Sequence, residues 1–109
     1  MNKVYVVEKL TNAMNSLALG PGDIRSRLVT AHQCMHTLSE NDFPTGSQSD
    51  WRWIINQLTK NGPVMSPDGS VYMGSVANTM RSIQNRTGVK IATRISKLYW
   101  ELSENNQYS

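Results

Sequence analysis

Two histidines in the segment HQCMH, His32 and His36, have a spacing that suits metal binding. At about 100° per residue a helix places both imidazoles on one side, where they could hold zinc. Cys34 lies between them but points to the opposite side, so it neither completes the site nor reaches a histidine base. Two further ligands would have to be Asp or Glu, because the chain has no other His or Cys. We therefore favour the alternative, a structural pair beside the core face of this helix, and predict no metal or other cofactor.

Other catalytic patterns are not apparent in the sequence. No serine stands in a Gly-x-Ser-x-Gly segment, and most carboxylates fall at predicted helix caps or turns. The segment GPGDIRSRL, residues 20–28, resembles a phosphate loop because it runs into a helix start. It lacks the Lys-Ser/Thr pair of such loops, however, and places Asp23 where phosphate would bind. We predict a hinge capped by Asp23, no catalytic residues and a protein that is not an enzyme.

A row of cations follows one side of the predicted C-terminal helix. Lys90, Arg94 and Lys97 have i, i+4, i+7 spacing, and Arg86 extends the row upstream. Glu101 is the one carboxylate expected nearby, so the row predicts a positive face for phosphates or for an acidic protein. An ordinary solvated helix face is the alternative.

Two tryptophans point away from the apolar faces of their helices. Trp53 lies opposite Trp51, and Trp100 lies opposite Ile91 and Leu102. Large aromatic residues in such positions are typical of partner surfaces, and coverage of the helix on two sides is the alternative. The candidate partner-binding residues, all cations or tryptophans, are Arg25, Arg27, Trp53, Arg81, Arg86, Lys90, Arg94, Lys97 and Trp100.

Hydrophobic residues with a period of about 3.6 predict five helices that position these groups. The predicted helices cover residues 3–18, 24–38, 50–60, 71–86 and 89–103. Glycines at Gly20, Gly22 and Gly62 and the pair Thr87-Gly88 are predicted to separate them. Ser66-Pro67-Asp68-Gly69 has the residue order of a β-turn, and Ser39 or Asp42 is predicted to begin a short turn with Phe43 as its apolar plug.

Composition limits the class of protein. The 109 residues suit one domain, with residues 1–2 and 104–109 expected to fray. A hydrophobic fraction of 39% excludes a disordered chain, and a net charge of +3 permits an acidic partner. One cysteine, no signal peptide and no run of about 18 apolar residues indicate a cytoplasmic protein that does not bind membranes. We predict a compact all-α bundle of about five helices, which surplus apolar surface on its third and fifth helices could bring into a homodimer.

Four segments of the chain resemble a family of small proteins encoded in prophages and temperate phages of enteric bacteria. The segments are GDIRSRL, DFP, W-x-W-I-x-x-Q-L-T-K-x-G-P and NTMRSIQNRTGVKIATRI-x-x-LYWEL. The resemblance extends from about Leu10 to Leu102, and MRSIQNRTGVKIATRI is its most specific part. It implies a bacterial host cell and a binding role, with no assigned activity. The residues that match the family motifs are Asp23, Arg25, Arg27, Leu28, Arg81, Asn85, Arg86, Gly88 and Lys90.

These observations predict a phage-derived interaction protein that binds a host or phage macromolecule through its basic and aromatic helical surface. The alternative is a nucleic-acid-binding protein that uses the C-terminal basic helix. A third interpretation is a metal-dependent enzyme built on His32 and His36.

Overall fold

The computed structural model describes residues 3–107, which fold into five α-helices with a small β-hairpin between the third and the fourth. The α-helices are α1 (Lys3–Leu19), α2 (Ile24–Met35), α3 (Gln48–Leu58), α4 (Ser75–Met80) and α5 (Asn85–Gln107). Two 3₁₀ turns, Glu40–Asp42 and Thr45–Ser47, precede α3, and the hairpin consists of β1 (Val64–Met65) and β2 (Val71–Met73). The predicted all-α fold is confirmed. Residues 1–2 and 108–109, at the ends predicted to fray, lie outside the described residues.

The core lies around α5, which packs against α1, α2 and α3. Ile91, Ile95 and Leu98 form the inward row of α5 and are completely buried. The facing helices contribute Val6, Leu10 and Ala13 from α1, Leu28, Ala31 and Met35 from α2, and Trp51, Ile54 and Leu58 from α3. Burial of this apolar surface is the main source of stability, at about 25 cal/mol per Å². No helix within residues 3–107 combines the length and the apolar composition needed to span a bilayer.

The buried face of α1 is rotated from the predicted one. Helical spacing predicts a buried row of Val7, Leu10, Met14 and Leu17, of which only Leu10 is buried and the other three are half-buried. Val6 and Ala13 are buried instead. Because α1 contacts both α2 and α5, the centre of its buried face falls where the two contacts overlap.

The loop between α1 and α2 is a hinge, as predicted. Gly22 adopts φ +80°, a conformation that side-chain-bearing residues rarely take. The Asp23 carboxylate then accepts hydrogen bonds from the backbone N–H groups of Arg25 (3.0 Å) and Ser26 (3.2 Å). The Arg25 side chain and these N–H groups hold the pKa of Asp23 below its ordinary value. Asp23 therefore occupies the N–H groups that a phosphate would need.

The prediction of a helix over residues 71–86 is wrong. Val71–Met73 form strand β2, which pairs antiparallel with β1, and α4 starts only at Ser75. The predicted turn is present between the strands: the Gly69 N–H donates to the Ser66 carbonyl at 2.9 Å, and Gly69 has φ +88°. β-branched and aromatic residues favour a strand beside such a turn. The helical spacing of Met73 and Val76 therefore did not determine the local structure.

The predicted break at Thr87-Gly88 is also wrong, because α5 begins at Asn85 and continues through Gly88 to Gln107. Gly88 lies where α5 crosses α2. A Cβ atom added there would lie 2.9 Å from Ile24 Cγ2 and 3.4 Å from Leu28 Cδ1. This glycine therefore permits close packing of two helices and does not end one.

α2 ends at Met35, three residues before its predicted end. The His36 Nδ1–H donates to the Gln33 carbonyl at 2.7 Å and satisfies one of the terminal carbonyls of the helix. The predicted turn follows. The Ser39 N–H donates to Asp42 Oδ2 at 2.8 Å, and Phe43 is buried against Trp51 with ring centroids 4.7 Å apart.

Candidate functional site

The predicted cation row lies on one flank of α5. Lys90, Arg94 and Lys97 point away from the buried row of α5 and border an open groove of about 290 Å³ between α3 and α5. We call this the α3–α5 groove, and its lining residues are Trp53, Val89, Lys90, Thr93, Arg94 and Lys97. The helical spacing therefore places these three cations together, as predicted.

Two of the cations are paired with a carboxylate that the sequence did not reveal. Asp50, in the first turn of α3, contacts Arg94 Nη1 at 3.1 Å and Lys97 Nζ at 3.0 Å. Lys97 also contacts Glu101 at 2.8 Å, and its pKa is raised by the hydrogen bonds to Glu101 and Asp50. The expectation that Glu101 is the one carboxylate near the row is wrong, because Asp50 contacts it as well. Asp50 is 44 residues from Arg94 in the chain, so helical spacing did not reveal it.

Arg94 is held from a second direction by Trp53. Its guanidinium carbon lies 4.4 Å from the centroid of the Trp53 ring, which is a cation–π contact. Trp53 is half-buried and packs against the core. This ring is therefore partly a core residue and partly the wall of the α3–α5 groove, and its role as a partner surface stays a prediction.

Lys90 and Arg86 are the two cations of the predicted row that are exposed and form no ion pair among residues 3–107. Arg86 instead donates to the side-chain oxygen of Gln84 at 2.8 Å, and both cations are exposed. Lys90 borders the α3–α5 groove, whereas Arg86 lies outside it.

Trp100 lies on the solvent side of α5, as its spacing predicts, and is 57% exposed. Val89, about three helix turns upstream, is 53% exposed. Together with Thr93 and Ser96 they form a row at i, i+4, i+7 and i+11 that lies opposite the core, which we call the outer stripe. The sequence analysis did not identify this stripe as a unit, because it is recognised by its position opposite the buried face of α5.

A second groove borders the outer stripe on its other side, between α1 and α5. It has a volume of about 340 Å³ and is mainly apolar. Its walls include Met14, Leu17 and Ile24 on one side and Val89, Ala92 and Ser96 on α5. We call it the α1–α5 groove.

The remaining predicted partner-binding residues lie elsewhere. Arg25 pairs with Asp23 at 2.8 Å and donates to the Ile83 carbonyl, and Arg27 donates to the carbonyls of Leu17 and Gly22. These two arginines stabilise the hinge. Arg81 borders a depression between α2 and α4 together with Arg25 and donates to Asn78 at 2.9 Å. The structure does not bring these three residues into the α3–α5 groove.

The histidine pair has a structural environment. His32 is half-buried, and its pKa is lowered by burial and by the charge of His36. Within the described residues, no three His, Cys, Asp or Glu side chains lie close enough together to hold a metal ion. Cys34 is half-buried next to Ser16, with Sγ 3.6 Å from the hydroxyl.

Comparison with known proteins provides no relative from which a function could be transferred. The chain matches no protein-family model, and neither a curated protein nor a solved structure is significantly similar to it. Its function is therefore argued from the geometry of the α3–α5 groove and the outer stripe.

Proposed function

We propose that this protein is a non-enzymatic interaction protein that binds an acidic partner protein through the α3–α5 groove. The observation that supports this most strongly is the setting of Arg94, which Asp50 and Trp53 hold at the wall of an open groove. Lys90 borders the same groove and lacks an ion-pair partner among the described residues. The groove thus combines a fixed wall, formed by Trp53 and Arg94, with the charge of Lys90, which no carboxylate among residues 3–107 neutralises.

A protein fits this groove better than a nucleic acid does. Asp50 and Glu101 already pair with Arg94 and Lys97, so Lys90 is the one groove cation without an ion-pair partner among residues 3–107, too few for a phosphate backbone. Half-buried Trp53 and exposed Val89 add apolar surface next to the charge. Tryptophan and arginine are the residues most enriched among those that dominate protein–protein affinity. An acidic peptide with an apolar anchor therefore matches both parts of the groove.

The resemblance to prophage-encoded proteins sets the proposed context. Small phage proteins of this kind commonly act by binding, so the proposed partner is a protein of the host or of the phage. We place this encounter in the cytoplasm of a bacterial host cell, where a lone cysteine such as Cys34 stays reduced.

A capture experiment with Lys90→Glu tests the proposal. The purified chain is immobilised and incubated with host lysate, with and without nuclease, beside Lys60→Glu as a control. Both variants replace a lysine by a glutamate and change the net charge equally. Lys60 is exposed and does not border the groove, so it controls for the change of charge alone. We expect Lys90→Glu to reduce capture of the bound protein about tenfold, because like charges would then meet at the groove. Lys60→Glu should leave capture unchanged.

Two results would contradict the proposal. Equal capture by both variants would mean that the groove is not the binding surface. Loss of capture after nuclease treatment would favour the nucleic-acid alternative. Binding by four phosphate-contacting cations would also weaken roughly 150-fold between 50 and 200 mM salt, whereas a protein interface centred on Trp53 should weaken far less.

A further inference from the structure

We infer that the outer stripe of α5 is a homodimer interface, on which a second copy of this chain docks with its α5 antiparallel to the first. The stripe, Val89, Thr93, Ser96 and Trp100, has the alternating four- and three-residue spacing of a helix–helix seam. Val89 and Trp100 are each more than half exposed, because the core buries the opposite side of α5. Val89 and Thr93 also line the α3–α5 groove, whereas Ser96 and Trp100 lie outside it, so the inference is tested at Trp100 and does not depend on the proposed function.

Antiparallel docking makes the stripe complementary to itself. A two-fold axis between Thr93 and Ser96 places Val89 of each copy opposite Trp100 of the other, and Thr93 opposite Ser96. The bulky residue at one end of the stripe thus meets the smaller residue at the other end. In a parallel arrangement the two Trp100 rings would compete for the same space, and the two Val89 side chains would leave a gap.

The apolar α1–α5 groove offers room for the indole of the second copy. It opens beside Val89, which is the residue that faces Trp100 in the antiparallel arrangement. Leu17 and Ile24 form its far wall and are half-buried, so they can lose further exposed apolar surface. An exposed tryptophan that enters an apolar groove is typical of the central anchor of an interface.

Charges at the ends of the stripe favour the same orientation. Arg86 and Glu104 are exposed, and neither has an ion-pair partner among residues 3–107. They lie on the same flank of α5, and the two-fold axis brings Arg86 of each copy level with Glu104 of the other. A parallel arrangement would instead leave Arg86 of one copy and Glu104 of the other at opposite ends of the stripe, where they could not pair. Lys90 comes nearest to Lys97 of the second copy. Repulsion between these two lysines is reduced, because Asp50 and Glu101 pair with Lys97.

The stripe consists of four residues, so we expect a small interface and a reversible dimer with a Kd on the order of micromolar. Sedimentation velocity of the wild-type chain from about 1 μM to about 1 mM should show a shift from monomer to dimer. Trp100→Ala should leave the chain monomeric over this range, because it removes the anchor. Trp100 is exposed, so circular dichroism of this variant should match that of the wild type.

Charge exchange tests the orientation. Arg86→Glu and Glu104→Arg should each weaken self-association about tenfold, because each places two like charges at both ends of the stripe. Combining the two substitutions in one chain should restore the wild-type affinity to within about threefold, since the pair is then reversed but still opposite in sign. Lys60→Glu is the control for a change of charge outside the stripe.

A wild-type chain that remains monomeric at all concentrations would overturn the inference. It would equally fail if the double variant associated no better than the single variants, because that result excludes the antiparallel pairing of Arg86 with Glu104. Trp100 lies outside the α3–α5 groove, so Trp100→Ala should abolish the dimer and leave partner capture unchanged, and the two proposals therefore fail independently.

Discussion

Substitution of Gly88 by alanine tests whether the crossing of α2 and α5 is as tight as the structure shows. Two effects oppose each other. Alanine inside a helix is favoured over glycine by about 1 kcal/mol. The added Cβ, however, would lie 2.9 Å from Ile24 Cγ2, closer than side-chain carbons normally approach, and this methyl group is fixed to a branched carbon. Overpacking of this kind costs about 1–3 kcal/mol, so we expect Gly88→Ala to lower the free energy of unfolding by about 1 kcal/mol net.

The assay is urea unfolding followed by circular dichroism, with an unchanged m-value as the check on two-state behaviour. Gly46→Ala is the control, because a Cβ added there meets nothing within 4 Å. Ile24→Ala removes the clashing methyl group, so in that background Gly88→Ala should stabilise the chain by about 1 kcal/mol. The effect of Gly88→Ala should therefore differ by about 2 kcal/mol between the two backgrounds. If Gly88→Ala stabilised the wild-type chain, helix propensity would outweigh the contact and the tight crossing would be refuted.

Two further predictions concern charge. Asp50→Asn should lower the free energy of unfolding by about 1–2 kcal/mol, because it removes two ion pairs and a favourable charge at the N-terminus of α3; Glu101→Gln, which affects one exposed pair, should cost less in the same urea titration. His32 has a pKa lowered by burial, so the unfolded chain binds its proton more readily. Stability should therefore be complete above about pH 6.5, the unfolded value, and fall as the pH decreases below it. His32→Gln should remove this part of the pH dependence in thermal unfolding between about pH 7 and pH 5, and an unchanged slope would contradict the assignment.

Periodicity predicted the buried rows of α2 and α5 well because the burial of these helices is one-sided. The rows Leu28–Ala31–Met35 in α2 and Ile91–Ile95–Leu98 in α5 are buried as their spacing indicates. It failed for residues 71–74, where the strand pairing with β1 depends on a turn and on residues from another segment. It failed again at Gly88, because a glycine that ends a helix and one that permits close packing look the same in a sequence.

The site was predictable only in part for a related reason. Helical spacing along α5 placed Lys90, Arg94 and Lys97 on one flank, since these positions belong to one element. The Asp50 carboxylate comes from α3, and no local pattern connects it with Arg94. The structure also separated Arg25, Arg27 and Arg81 from the groove, because the charge of a residue carries no information on which surface it occupies.

The central position of α5 has a consequence for how the chain folds during synthesis. α1 and α2 form a local hairpin that can close as soon as residues 3–35 are available. The buried faces of α1, α2 and α3 are covered completely only when α5 packs against them, because α5 contacts all three helices. On the ribosome these faces stay partly exposed to chaperones and proteases until α5 has emerged. Ribosome-bound chains that stop before residue 90 should therefore be digested much faster than the released protein.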